Sequence, residues 1–293
     1  MIIKQGVKKA LPILIIAVVI IILTIAAGVW LYFENNRIDS TVYEIPVSGL
    51  PKEYNGFRIV QISDFHNNVL GKDNEKLMDA VQAAKPDIIV ITGDFIDSRN
   101  THTDISLNLS KQLVEVAPVY YVTGNHEHRM PDILAEFETE LQKLGVHVLH
   151  GESQYITREG KKLQIIGVDD PTFYYPDDEF EGKESEELAA DVKRLCDSNC
   201  SSILLAHRPV FFDDYAAAGV DVSFAGHEHG GQFRVPFIGG IFAPDEGFMP
   251  KYCEGVHTIG DSTLVVSRGL GQSVFPFRVN NSPELVTAVL KCK

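Results

Sequence analysis

The chain has 293 residues, of which 45% are hydrophobic and 23% are charged, and its formal net charge is −14 at pH 7. This hydrophobic fraction excludes a disordered chain and fits one large domain or two small ones. Because an acidic surface repels the phosphate backbone of nucleic acids, we expect no nucleic acid partner.

The N-terminal segment has the composition of a membrane helix. The stretch from Leu11 to Phe33 carries no charged side chain, and a bilayer-spanning helix needs about 20 apolar residues. It is longer than the apolar core of a cleaved signal peptide, and its end is aromatic, as suits a membrane interface. We therefore predict an uncleaved transmembrane anchor over residues 10–33. Three lysines in residues 1–9 predict a cytoplasmic N-terminus and an extracellular domain at the cell membrane.

Residues 34–49 are predicted to form a short stalk that contains an edge strand, and residues 50–293 a single domain. In the first half of this domain, predicted strands and helices alternate. The strands are 57–63, 87–92 and 119–123, and the helices are 73–84 and 103–116. This order predicts a parallel sheet.

The second half of the domain contains further predicted strands and helices. A helix at 131–144 precedes strands at 146–149, 154–157 and 163–168, whose spacing is too short for crossover helices. A helix at 185–196 then leads into strands at 202–206, 220–225, 264–266 and 285–290. We expect an α/β fold in which two mixed β-sheets pack face to face, with helices on the outside (four layers, αββα).

The four cysteines permit disulfides in an exported domain. Cys196 and Cys200 are close enough in sequence for a bridge if the helix ends there, whereas Cys253 and Cys292 remain unassigned. A zinc site at the C-x3-C pair is the alternative, but no second ligand pair lies nearby in the sequence.

Polar residues of metal-ligand type follow five predicted strands. In chain order they are Asp64 and His66, Asp94, Asn125 and His126, His207, and His227 and His229. One histidine after a strand is usually an ordinary loop residue, but ligands in α/β sheets gather outside the carboxyl ends of strands. Five such strand ends together predict one site. A metal there would also compensate the charge of Asp94, which would otherwise be costly at the tip of a buried strand.

Glycines stand directly before several of these polar residues. Gly93, Gly124 and Gly226 are placed where a backbone can turn sharply or approach an ion closely because no Cβ is in the way. "GLGQS" near residue 270 superficially suggests a phosphate-binding loop, but no helical pattern follows it, so we predict a turn.

The ordered motifs D-x-H, G-D, G-N-H-[DE], a lone H and G-H-x-H resemble those of the calcineurin-like metallophosphoesterases, in particular their bacterial membrane-anchored phosphohydrolases. The resemblance runs from about Leu50 to the C-terminus. It implies one metal on Asp64, His66 and His229, a second on Asn125, His207 and His227, and Asp94 bridging both. It also implies that His126 is catalytic and that Glu127, where many relatives have Asp, orients it. Glu228, where many relatives have Thr, is left unassigned.

The ligand types favour two divalent metal ions, Mn, Fe or Zn, because they offer oxygen and nitrogen but no thiolate. Two such cations about 3.5–4 Å apart can hold a bridging hydroxide that attacks a phosphate mono- or diester. We expect the phosphoester substrate to be an envelope lipid or a cell-wall component, because the anchor holds the site near both. A catalytically silent metal-binding scaffold or binding module is the alternative, although the complete ligand set argues against it.

Three further residues are candidates for substrate binding. Arg278 can meet a phosphate oxygen or can form a structural salt bridge. Tyr174 and Tyr175 can line a substrate groove or can belong to an aromatic turn packed on the domain.

Overall fold

The computed structural model describes residues 2–174, 186–243, 247–272 and 275–293, with side chains from Pro12 onward. The helices are α1 (Ile2–Asn36), α2 (Glu75–Ala84), α3 (Thr103–Leu113), α4 (Asn125–His128), α5 (Pro131–Leu144), α6 (Glu186–Leu195) and α7 (Phe212–Ala217). The strands are β1 (Asp39–Val47), β2 (Arg58–Ile62), β3 (Ile88–Thr92), β4 (Val119–Val122), β5 (His147–Val148), β6 (Glu152–Arg158), β7 (Lys161–Gly167), β8 (Ser201–Leu205), β9 (Val222–Ala225), β10 (Arg234–Val235), β11 (Gly239–Gly240), β12 (Phe242–Ala243), β13 (Gly247–Phe248), β14 (Gly255–Ile259), β15 (Ser262–Val266) and β16 (Glu284–Cys292).

Twelve of these strands form two six-stranded mixed sheets, as predicted. The first sheet has the order β1-β16-β2-β3-β4-β5, in which β16 runs antiparallel to β2 and the other neighbours are parallel. The second has the order β14-β15-β9-β8-β7-β6, with antiparallel pairs at its two edges and parallel pairs between them. The parallel strands of each sheet send their carboxyl ends to one side of that sheet, which is where the functional residues lie.

The two sheets pack face to face, and helices cover their outer faces. Strand β3 shows why the apolar run Ile88–Thr92 is continuous. Ile88 and Val90 lie in the core between the sheets, whereas Ile89 and Ile91 pack in the outer core with α2, α3 and α5. Successive side chains of a strand point to opposite faces, so both faces need apolar residues when both are buried. With α6 and α7 on the second sheet, the predicted four layers are confirmed.

The segment between the apolar helix and residue 50 is part of the first sheet. Asp39–Val47 pairs in parallel with Glu284–Cys292 over nine residues. The predicted edge strand is therefore present, and the sheet extends into the stretch predicted to be a stalk. Only residues 37–38 separate it from α1.

Two further predictions from the sequence concern the apolar helix and the cysteines. Pro12–Asn36 is long and apolar enough to cross a membrane by length and composition, and none of it is buried. All four cysteines, Cys196, Cys200, Cys253 and Cys292, are free thiols in the structure. The disulfide that the spacing of the first two permits is therefore not formed.

Candidate metal centre

The structure brings all seven predicted ligands to one buried site between the two sheets. From the first sheet come Asp64 and His66 after β2, Asp94 after β3 and Asn125 after β4. From the second come His207 after β8, and His227 and His229 after β9. None of the seven is more than 6% exposed. The sheets therefore supply one wall each, and the site depends on their packing.

Four of these side chains converge on a first point. His66 Nε2 lies 3.3 Å from His229 Nε2 and 3.5 Å from Asp94 Oδ2. His229 Nε2 lies 3.5 Å from Asp64 Oδ1. Atoms of these four residues lie within 4.8 Å of one another, a spacing that fits ligands of one cation.

A second point lies on the other side of Asp94. His207 Nε2 is 3.2 Å from Asn125 Oδ1, 3.1 Å from His227 Nδ1 and 3.5 Å from Asp94 Oδ1. Asp94 thus directs one carboxylate oxygen toward each group of ligands. This is the arrangement expected of a carboxylate that bridges two cations.

The protonation of the histidines supports a fit to metal ions. Burial lowers the pKa of His66 to about 3 and that of His229 well below its usual value, so both rings are neutral. A neutral ring keeps a nitrogen lone pair, so the two Nε2 atoms, which lie 3.3 Å apart, can both bind one cation. At the second point, Asp94 and Asp64 outweigh burial and raise the pKa of His207 to about 10, so this position favours positive charge.

The ligands also share an unusual backbone conformation. Asp64, His66, Asp94, His227 and His229 have φ between 47° and 68°. Residues other than glycine seldom adopt positive φ, although Asp and His do so more readily than most, and five such residues at one site are typical of a functional site. The sequence gives no direct sign of this conformation.

Two glycines allow the ligands to pack against the main chain. Gly93 has φ of 83°, and a Cβ there would lie 2.5 Å from His207 Nδ1. A Cβ on Gly226 would lie 2.2 Å from Asp64 Oδ2. Glycine at these positions therefore provides the space that the ligand side chains occupy, and both substitutions would displace a ligand.

Glu127, which was predicted to orient His126, contacts the main chain in this structure. Its buried carboxylate instead accepts four backbone N–H groups: those of Asp94 and Gly124 at 3.0 and 2.9 Å, and those of Phe95 and Ile96 at 2.7 and 3.2 Å. Burial, and secondarily Asp94, raises the pKa of Glu127 to about 7. The role of Glu127 is to join the loops after β3 and β4, which carry Asp94 and Asn125.

Asp97 is the carboxylate that contacts His126. Asp97 Oδ1 lies 3.0 Å from His126 Nδ1, and the hydroxyl of Ser98 lies 3.1 Å from the same nitrogen. The other ring nitrogen, Nε2, faces Asp94 Oδ2 at 4.0 Å. Burial opposes charge on His126, but Asp94 and Asp97 outweigh it and raise the pKa. The only sequence signal was a second aspartate three residues after Asp94.

Two arginines contact the histidines of the G-H-x-H motif. Arg278 is fully buried and donates to the carbonyls of Gly271 and Arg268, and its Nη2 lies 3.1 Å from His229 Nδ1. Among the described residues Arg278 forms no salt bridge, and its predicted contact with a phosphate stays a prediction. Desolvation lowers its pKa to about 10.

Arg208 supports the other histidine of this motif. Its Nη1 lies 3.3 Å from His227 Nε2, and its Nε donates to Asp170 Oδ2 at 2.8 Å. Asp170 is fully buried, and Arg208 and the nearby histidines outweigh burial and lower its pKa. The sequence alone does not predict this pair, because nothing in "HRP" or "DDP" identifies Arg208 and Asp170 as partners.

Of the two tyrosine candidates, the structure describes Tyr174. The hydroxyl of Tyr174 donates to Asp191 on α6 at 2.9 Å, which favours the packed aromatic turn over a substrate groove. Tyr175 lies outside the described residues. Glu228 is fully buried, and its backbone is helical rather than extended.

A polar cavity of about 390 Å³ opens beside the first group of ligands. It is lined by His66, Asn67, Asn68, Asp97, Arg99, Asn100, Gln272 and Pro276. Amides and one arginine dominate this lining, which suits an anionic, hydrogen-bonding group.

Two adjoining sets of oxygen and nitrogen ligands that share one carboxylate define a dinuclear metal hydrolase. Comparison with known proteins specifies the class further. The sequence profile of the calcineurin-like phosphoesterases matches residues 57–231, which include all seven ligands. The chain belongs to this family, whose members are metal-dependent phosphohydrolases.

Individual relatives agree with this assignment. The uncharacterized metallophosphoesterase YkuE of Bacillus subtilis is 32% identical over 265 residues, which are 89% of this chain and 88% of YkuE. The phosphodiesterase YaeI of Escherichia coli is 28% identical over 208 residues, 69% of each chain. A transmembrane protein with a metallophosphoesterase domain from Danio rerio is 28% identical over 260 residues, 85% of this chain but 56% of that protein.

Proposed function

We propose that this protein is a membrane-anchored phosphoesterase that uses two divalent ions, Mn, Fe or Zn, to hydrolyse phosphate mono- or diesters. The observation that carries the proposal is the position of Asp94, whose two oxygens face separate groups of ligands. Bound there, two cations supply charge neutralisation for the phosphate and activation of water. His66, His229 and Asp64 would hold one ion, and His207, His227 and Asn125 the other.

The protein's own contribution to the chemistry centres on His126. Its Nε2 faces the cluster, while Asp97 accepts a hydrogen bond from Nδ1–H and fixes the ring. A proton on Nε2 is then positioned for the leaving oxygen of the ester, and such acid assistance typically contributes about 10²–10⁴-fold. Asp97 is a positioning residue, because it acts on the reaction only through His126.

The cavity beside His66 is the proposed site for the remaining parts of the substrate. Asn67, Asn68 and Asn100 offer amides there, and Arg99 adds a positive charge next to Asp97. A phosphoester with a polar headgroup fits this lining better than an apolar ligand, because amide side chains and Arg99 form most of it.

We propose that the substrate is an envelope lipid or a cell-wall component and that the catalytic domain is extracellular. The helix α1 supports anchoring, because its apolar stretch is not buried against the domain. Three lysines, Lys4, Lys8 and Lys9, precede the apolar stretch and favour a cytoplasmic N-terminus.

Hydrolysis assays with and without a chelator test the proposal. The full chain in detergent should hydrolyse nitrophenyl mono- or diesters, lose this activity in chelator and regain it with Mn, Fe or Zn. Comparing the two ester types assigns the enzyme as a mono- or diesterase, and envelope lipid extracts follow. Full activity after complete removal of metal would refute the proposal, and metal binding without hydrolysis of any ester would favour a silent scaffold.

A further inference from the structure

Exposed apolar side chains cluster on the loops that follow β9 and β15. Phe237 is fully exposed at the turn between β10 and β11, and Phe248 and Met249 are 76% and 63% exposed. Soluble surfaces seldom carry apolar clusters of this kind unless they bind something. We use the name apolar rim for six of these side chains: Phe237, Ile238, Phe248, Met249, Phe275 and Phe277.

Contacts beneath the apolar rim join its loops into one surface. The ring of Phe233 contacts those of Phe275 and Phe277, with centroids 5.1 and 6.0 Å apart. The side-chain amide of Gln232 donates to the carbonyls of the same two phenylalanines. Backbone hydrogen bonds continue from Phe233 through Ile241 to Met249. These contacts therefore link the loops that carry the exposed side chains into one surface.

The apolar rim adjoins the C-terminal end of α1, where this helix would leave the membrane. Asn35 makes two hydrogen bonds with the main chain of Arg278, at 2.7 and 3.0 Å, and Phe277 is the preceding residue. The exposed aromatics Tyr32 and Phe33 mark the interfacial end of the helix. A helix rises about 1.5 Å per residue, so Asn35 lies only about 3 Å beyond Phe33 along the axis.

The segment that carries part of the apolar rim also forms a wall of the metal centre. Pro276 lines the cavity beside His66, and the side chain of Arg278 reaches His229. The mouth of the cavity and the apolar rim are therefore parts of one face of the molecule.

We propose that the apolar rim docks on the lipid bilayer, in the same leaflet that receives the C-terminal end of α1. Docking places the mouth of the cavity at the level of the lipid headgroups. A bilayer is the occupant that the structure favours over a partner protein, because the rim continues the surface on which the membrane helix ends. The inference rests on the proposed membrane span of α1, and it adds a second, monotopic contact.

Tryptophan fluorescence in brominated lipid tests the docking, because the chain has a single tryptophan, Trp30. Full-length W30F/F237W is placed in vesicles of phosphatidylcholine and phosphatidylglycerol with bromine on the acyl chains near the headgroup. The indole introduced at position 237 should lose emission in the brominated vesicles. The matched control is W30F/Y155W, because Tyr155 is also exposed but lies on β6, the edge of the second sheet opposite β14.

The outcomes separate docking from the other proposals. Loss of emission from W30F/F237W but not from W30F/Y155W supports docking, whereas equal behaviour of the two variants overturns it. Blue-shifted emission from W30F/F237W that bromine does not quench would place the rim against protein and would also overturn it. Trp30 in the native chain reports the membrane span independently. Hydrolysis of a soluble nitrophenyl ester, which F237S/F248S should retain at the wild-type rate, reports the catalytic proposal.

Discussion

Replacing Glu127 by glutamine is expected to destabilise the protein and loosen its metal site. One carboxylate oxygen accepts the N–H groups of Phe95 and Ile96, and the other accepts those of Asp94 and Gly124. Glutamine replaces one oxygen by an amide group that can only donate, so two of the four N–H groups lose their acceptor. Hydrogen bonds to charged groups contribute about 1.5–3 kcal/mol each, which gives a gross loss of about 3–6 kcal/mol. Glutamine also removes the buried charge that raises the pKa of Glu127, and at about 1.4 kcal/mol per pKa unit this offsets about 3 kcal/mol of the loss.

This loss is large compared with the usual stability of a domain, about 5–15 kcal/mol. Thermal unfolding of the full chain in detergent, after treatment with chelator and at a pH above 7 so that Glu127 is ionised, measures it without a contribution from bound metal. The net loss is then up to about 3 kcal/mol, and because each kcal/mol shifts Tm by about 2–4 °C at this size, a fall of up to about 12 °C is expected. Elemental analysis of metal-loaded samples should show reduced metal content.

Glu136→Gln is the matched control, since Glu136 is exposed on α5 and should tolerate the change. If Glu127→Gln unfolds at the same temperature as this control and binds as much metal, the four-amide contact does not stabilise the site. A variant with normal stability whose loss of rate depends on the leaving group would instead assign Glu127 to the orientation of His126.

The Asp97→Asn variant should keep its metal but lower kcat/KM about 10–100-fold on an alkyl phosphodiester and less on a nitrophenyl ester. The control variant Asp104→Asn, at an exposed position, should match wild type. Equal losses on both esters would contradict the positioning role of Asp97. Hydrogen bonds to Asp169 and Glu138 raise the pKa of His150 to about 10. Protonated His150 therefore stabilises the fold by about 1 kcal/mol or less; this contribution is complete below pH 6.5 and is lost as the pH rises to 10. A Tm difference between wild type and His150→Gln that stays constant over this range would refute the prediction. External trypsin should cut at exposed Arg37 and release the domain from spheroplasts, whereas full protection would mean the opposite orientation.

The predicted positions of the ligands follow from local features of the sequence. Each of the strands β2, β3, β4, β8 and β9 is a short apolar run that stops at a small or polar residue, and parallel strands deliver their carboxyl ends to one edge. The two mixed sheets were also predictable from local features, because apolar runs and helices alternate with clear spacing along the chain.

Contacts between distant loops could not be predicted in this way. Whether Asp97 or Glu127 meets the ring of His126 depends on the path of the loop after β3, which no periodic pattern encodes. The same is true of Arg278, which reaches the site because β16 inserts between β1 and β2 in the first sheet. Positive φ at the ligands is likewise imposed by the surrounding fold.

Anomalous diffraction from a crystal loaded with manganese shows directly whether Asp94 bridges two metal ions. We expect two anomalous peaks about 3.5–4 Å apart, one on each side of the Asp94 carboxylate. His66 and His229 should lie at one peak, and His207 and His227 at the other. A single peak, or two peaks of which only one touches Asp94, would contradict it.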